Sequence, residues 1–140
     1  MQWLKLMKER ENNKLNVTWE YIENYNEDSL DIVNKELCGV YLICPIDDKF
    51  LGNHRVAYVG QGNIYDNLYR HLTNEQNECL KSFLKNNKTC VYYADTGAER
   101  AQGVEAYLLQ RLDPSCNKNS SQFEPIEINL PAVYNPQTMK

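Results

Sequence analysis

The chain has 140 residues and a formal net charge of −4, a length that suits one domain able to bury about two-thirds of its unfolded surface without staples. No apolar run approaches the ~20 residues of a membrane span, and the opening Met1 to Arg10 is too charged and too briefly apolar for a signal peptide. Neither a membrane span nor a secretory leader is expected on this reading, and a cytoplasmic location is.

Residues 1–37 carry five Lys/Arg against eight Asp/Glu and are rich in Asn and Glu. With Trp19, Tyr21, Ile22, Tyr25, Leu30, Ile32 and Val33 as anchors, this segment reads as a partly helical arm on the body of the domain. Cys38 to Cys44, closed by Pro45, is a short apolar, β-branched run and predicts a buried strand. Asp47, Asp48, Gly52 and Asn53 mark a short connection. Arg55 to Val59 then predicts a second strand, antiparallel to the first because the link is short. Gly60 to Asn63 reads as a tight turn, with Asn63 suited to cap a helix lined by Ile64, Leu68 and Leu72. A second helix is expected over Glu75–Lys85 and a third strand over Thr89–Tyr93. Between Gly97 and Leu112, Ala101, Val104, Leu108 and Leu112 recur at helical spacing before Pro114 stops the helix. The tail from 120 to 140 includes Glu124 to Pro131, an alternating segment whose prolines suit a sheet edge. The expected fold is α+β: a small three-stranded antiparallel sheet flanked by helices, spanning 38–119, with the N-terminal arm and an extended C-terminal tail outside it.

The five cysteines are odd in number and contain no Cys-x-x-Cys pair, so reduced and mostly buried thiols are expected, and no zinc site. Residues 38–119 carry nine charges of each sign. Without a long basic stretch, a polyanion would have to be gripped by a local patch drawn from Arg55, Arg70, Lys81, Lys85, Lys88, Arg100 and Lys118.

Glu105 breaks the pattern of its helix. At ~100° per residue it falls between Ala101 and Leu109, on the edge of the apolar face. An ionised carboxylate withdrawn from water costs several kcal/mol unless something pairs with it or coordinates it. Gly60-Gln61-Gly62 before a helix also invites a dinucleotide-binding reading, but the third glycine of that fingerprint would fall at Tyr65, and no long βαβ unit surrounds it. No Ser/His/Asp or Cys/His arrangement suggests a protein nucleophile.

Gly39-Val40-Tyr41, Tyr58-Val59-Gly60, the in-stripe Glu105 and Asn117 after Pro114 occur in order and on fitting elements. Together they resemble the GIY-YIG nuclease superfamily, over Cys38 to Asn117. The resemblance implies a divalent-metal-dependent endonuclease that hydrolyses DNA, with Mg²⁺ or Mn²⁺ on Glu105 as the sole protein ligand. Tyr58 or Tyr41 would activate or position the attacking water, His71 would belong to the catalytic group, and Asn117 would brace the site. A lone carboxylate with waters and a substrate phosphate is a site that Mg²⁺ accepts. Each residue also has a plainer reading: Tyr41 and Tyr58 as packed strand aromatics, Asn117 as a turn residue, His71 as a helix-terminal histidine, Glu105 as a satisfied structural carboxylate.

The pattern is broken at one position. Family members carry an Arg four residues before the His, on the same side of the helix, and here that position is Asn67. Arg70, about 60° further round, or Arg55 ahead of Tyr58, would have to supply the missing cation to the phosphate. Three readings follow. The chain is an endonuclease using such a substitute, or a catalytically weak or inactive module that binds nucleic acid or a protein partner, or a nuclease in which Asn67 was introduced to tame it. For the acidic arm, residues 1–37, the sequence pattern does not choose between shielding the site, dimerising and binding a partner.

Overall fold

The computed structural model describes residues 14–118 and 121–138; the Met1–Arg10 stretch read against a signal peptide lies outside them. Elements follow in the order β1 (Trp19–Ile22), a 3-10 turn (Asp28–Ile32), β2 (Cys38–Pro45), β3 (Lys49–Phe50), β4 (Asn53–Arg55), β5 (Tyr58–Asn63), α1 (Ile64–Thr73), α2 (Glu78–Asn86), β6 (Thr89–Asp95), α3 (Ala98–Leu112) and β7 (Val133–Tyr134). The class is α+β, as expected.

The main sheet has four antiparallel strands in the order β1-β6-β2-β5, not three. The additional strand comes from the arm. Trp19–Ile22 pairs with Val91–Ala94 of β6, placing Ile22 in the core, leaving Glu20 exposed and setting the partly covered Tyr21 ring against Tyr92. Helical propensity in so short a segment yields to the hydrogen bonds that an open sheet edge offers. Among the described residues of the arm the one helical turn is the 3-10 segment, which drives Leu30 into the core.

β2 is apolar throughout because both its faces are covered, and its residues divide by parity. Tyr41 and Ile43 meet Ile64 and Leu68 of α1 and Leu80 of α2. Val40, Leu42 and Cys44 meet Val104, Leu108 and Leu112 of α3, with Ile128 of the tail. The sheet therefore separates two cores.

The expected strand Arg55–Val59 is divided. Asn53–Arg55 joins a second small sheet, β3-β4-β7, in which the tail strand β7 runs parallel to β4. After the break β5 begins at Tyr58 and continues through Gly60–Asn63, which is strand rather than a tight turn. Gly60 serves close approach instead, as the site makes plain, while Gly62 takes a positive φ of 117° within the strand. Asn63 caps α1, its Oδ1 accepting the Asp66 amide at 2.9 Å. α2 starts at Glu78, not Glu75, because Asn77 is the cap, accepting from the amides of Cys79 and Leu80.

The expectation of reduced thiols is also corrected. Cys79 and Cys116 form a disulfide, their Cα atoms 5.3 Å apart, while Cys38, Cys44 and Cys90 are free. The start of α2 packs beside residues 115–117, and counting cysteines cannot foresee that meeting. The bond removes the thiol argument for a cytoplasmic location. Among the described residues no helix is long and apolar enough to cross a membrane.

Candidate active site

Both strand tripeptides owe their glycines to crowding. A Cβ at Gly39 would fall 2.0 Å from the Ala94 carbonyl oxygen. Gly60 lies opposite Tyr41 in the ladder, and the Tyr41 ring crosses the space above it. Tyr41 thereby reaches α1, where its hydroxyl meets His71 Nε2 at 2.7 Å. It is 1 % exposed, so the hydroxyl is committed to His71 and out of contact with solvent. Burial pushes the phenol well above its ordinary value, with the neighbouring Tyr58 adding to the effect.

His71 is itself buried, and its Nδ1 meets Oε2 of Glu75. Burial lowers its pKa against the opposing pull of that carboxylate. Tyr58 stands edge-on to the imidazole, ring centroids 5.1 Å apart, and 6.3 Å from the Tyr41 ring. Tyr58 is partly exposed, so of the two tyrosines it is the one able to meet a solvent-borne reactant. Its phenol is raised by burial, then by Glu75 and Glu105, and lowered by Arg70.

Glu105 comes from the other side of the sheet, on α3, which packs on β2 and β5. Because β5 is an edge strand, a residue of α3 near that edge lies close enough for its charge to act on Tyr58 and Tyr41 across the strand. The carboxylate is half-buried, and among the described residues it makes no ion pair and no hydrogen bond. Burial raises its pKa. Such a carboxylate has the donor chemistry for a hard cation that completes its shell with water and substrate oxygen. Among the described residues no three His, Cys, Asp or Glu side chains gather, so a zinc-like cage is not built.

Asn117 does not project into the site. Its Oδ1 accepts the Val59 amide and its Nδ2 donates to the Val59 carbonyl, both at 2.9 Å, so one side chain pairs with β5 as a strand would. The Cys116 amide continues the pairing to Ala57 at 2.7 Å. Together they hold the strand segment that carries Tyr58.

Three expected substrate contacts separate. Asn67 Nδ2 donates to the Gln61 carbonyl at 2.9 Å and secures the corner between β5 and α1. Arg55 sits on the small sheet, its Nε 3.4 Å from Asp48. Arg70 is exposed, yet its charge acts on Tyr25, Tyr41, Tyr58 and His71 together. Of the two candidate cations, Arg70 is the one at the cluster.

Glu75 is the residue that sequence reasoning missed. It lies beyond the end of α1, and only an acidic residue four after a histidine hinted at it. Its Oε1 accepts the Asn77 amide at 2.9 Å, and Asn77 Nδ2 in turn donates to the Cys116 carbonyl at 2.8 Å. A continuous polar chain thus runs from Tyr41 through His71, Glu75 and Asn77 to the segment that holds β5. No protein-family model matches the chain, and neither curated proteins nor solved structures give a significant match.

Proposed function

We propose that the chain is a divalent-metal-dependent endonuclease of the GIY-YIG kind, hydrolysing DNA phosphodiester bonds. The observation that carries the reading is the packing of a partly exposed Tyr58 against the Tyr41–His71 pair, with a Glu105 carboxylate that has no partner among the described residues and whose charge raises both phenols. Mg²⁺ or Mn²⁺ held by Glu105 would supply polarisation of the phosphate and stabilisation of the leaving oxygen. Tyr58 orients the attacking water. In the protein alone its proton is held by burial and by two carboxylates, so neutralisation of Glu105 removes one of the fields that oppose ionisation. Arg70 contributes positive charge where phosphate oxygens gain negative charge. His71 and Tyr41 form the wall behind Tyr58, and Asn117 fixes the strand that presents it.

The test is cleavage of supercoiled plasmid with Mg²⁺ and with Mn²⁺, by the wild-type chain and by Glu105→Gln. Nicking or linearisation that disappears in the variant is the expected result. No cleavage by either folded protein would overturn the reading. A second reading, a nuclease-shaped module that binds nucleic acid or a protein partner without cutting it, is favoured by Asn67. That amide is spent on the Gln61 carbonyl, where the family's arginine would face phosphate.

A further inference from the structure

We propose that Glu75 is a positioning residue: it fixes His71 as the Nδ1–H tautomer, so that Nε2 remains the acceptor for the Tyr41 hydroxyl. The catalytic meaning of this assignment rests on the nuclease reading; the tautomer does not.

Glu75 is no ordinary surface carboxylate. Its side chain is 6 % exposed, and both oxygens are engaged, Oε2 by His71 and Oε1 by the Asn77 amide. It stands four residues after His71 but past the end of the helix. α1 ends at Thr73, Asn74 leaves helical geometry with φ −155° and ψ 63°, and the chain turns before α2 begins. The backbone hydrogen bond from Asn77 sets the angle at which the carboxylate meets the imidazole.

The hydrogen positions follow from the partners. An ionised carboxylate accepts and cannot donate, so the hydrogen between Glu75 and His71 belongs to Nδ1. Burial keeps the ring neutral, which leaves Nε2 with a lone pair. Tyr41, which retains its proton in the core, donates to that lone pair. Among the described residues the Tyr41 hydroxyl has no other partner, so the direction of its hydrogen bond is decided two residues away, at Glu75. Through the same ring Glu75 holds the surface against which Tyr58 stands.

Glu75→Gln isolates this role. It keeps the volume but has one oxygen where two donors, the Asn77 amide and Nδ1–H, need acceptors. If that oxygen keeps the Asn77 amide, the amide nitrogen faces His71 and favours the Nε2–H tautomer, which turns a donor toward Tyr41. An amide replacing an orienting carboxylate is known to impose the wrong tautomer in this manner.

The experiment is ¹⁵N NMR of the histidine-labelled full chain, which contains only two histidines, together with steady-state plasmid cleavage. The wild type should show His71 protonated at Nδ1 and free at Nε2 at neutral pH. Glu75→Gln should move it toward Nε2–H and lower kcat at least about tenfold with KM changed less than about twofold. Glu75→Asp should recover part of both. A wild-type His71 protonated at Nε2 would overturn the assignment whether or not the variant folds, as would a Gln variant with unchanged tautomer and kcat. A chain that cleaves nothing yet shows the tautomer change upholds the assignment and overturns the nuclease reading.

Discussion

The ring of Tyr41 lies where a side chain on Gly60 would have to stand: an added Cβ would fall 2.1 Å from its Cζ and 2.2 Å from its hydroxyl oxygen. Gly60→Ala must therefore push Tyr41 off His71 or distort β5. A cost of about 1–3 kcal/mol is expected, the range for overpacking a tight core. Gly39→Ala should cost more, because its Cβ meets the backbone carbonyl of Ala94, which has no rotamer to escape into. Urea denaturation of the two variants checks the order.

Glu105 carries a pH signature. Burial raises its folded pKa above the unfolded value of ~4.3. The folded state therefore binds that proton more tightly, and the associated stability is complete below the unfolded pKa. It is lost as pH rises through the folded pKa. Glu105→Gln should raise the melting temperature more at pH 7 than at pH 4. Added Mg²⁺ should stabilise the wild type and leave the Gln variant unmoved. Thermal scans at the two pH values, with and without metal, decide both points.

Arg70→Ala should lower cleavage by about tenfold or more, by removing the positive charge beside Tyr41, Tyr58 and His71. Asn67→Arg placed in that background should restore part of the loss, at the expense of the Asn67–Gln61 hydrogen bond. Initial rates on plasmid give the answer, and an Arg70→Ala protein as fast as wild type would remove Arg70 from the site.

Asn117→Ala removes both hydrogen bonds to Val59. A loss of about 1–3 kcal/mol is expected, since two strand groups lose their partners. Amide hydrogen exchange offers a local check: Val59 should lose protection before residues in β2 do.

Reduction of the Cys79–Cys116 bond frees a loop of 37 residues and should cost about 2–4 kcal/mol. Denaturation midpoints with and without dithiothreitol measure it, with Cys79→Ser as the control that no longer responds.

Local pattern made much of this molecule legible. β2 and α3 are legible almost to their ends, because apolar runs and helical periodicity are written in neighbouring residues. Glu105 was visible for the same reason, as a charge against an apolar stripe. What escaped depends on partners far away in the chain. Trp19–Ile22 becomes a strand only because β6, some seventy residues on, leaves an edge open. Gly60–Asn63 signalled a turn by composition, yet β2 holds it extended and Tyr41 needs its missing Cβ. Glu75 acts from past a helix end, where spacing rules no longer apply, and its role depends on a turn closed by Asn77.

Asn117 has a counterpart at the far side of the sheet. Asn129 grips the backbone of Val17 in the same way, Oδ1 accepting the amide at 2.7 Å and Nδ2 donating to the carbonyl at 2.9 Å. Each amide stands in for one residue of a missing strand. Exposed sheet edges are templates on which foreign chains can add, and proteins commonly blunt them with charge or proline. Here two carboxamides fill hydrogen-bonding positions that a growing aggregate would need, one beside β5 and the other just ahead of β1. Replacing them would cost more than local stability, because it would leave a surface on which a second molecule can dock and continue the ladder.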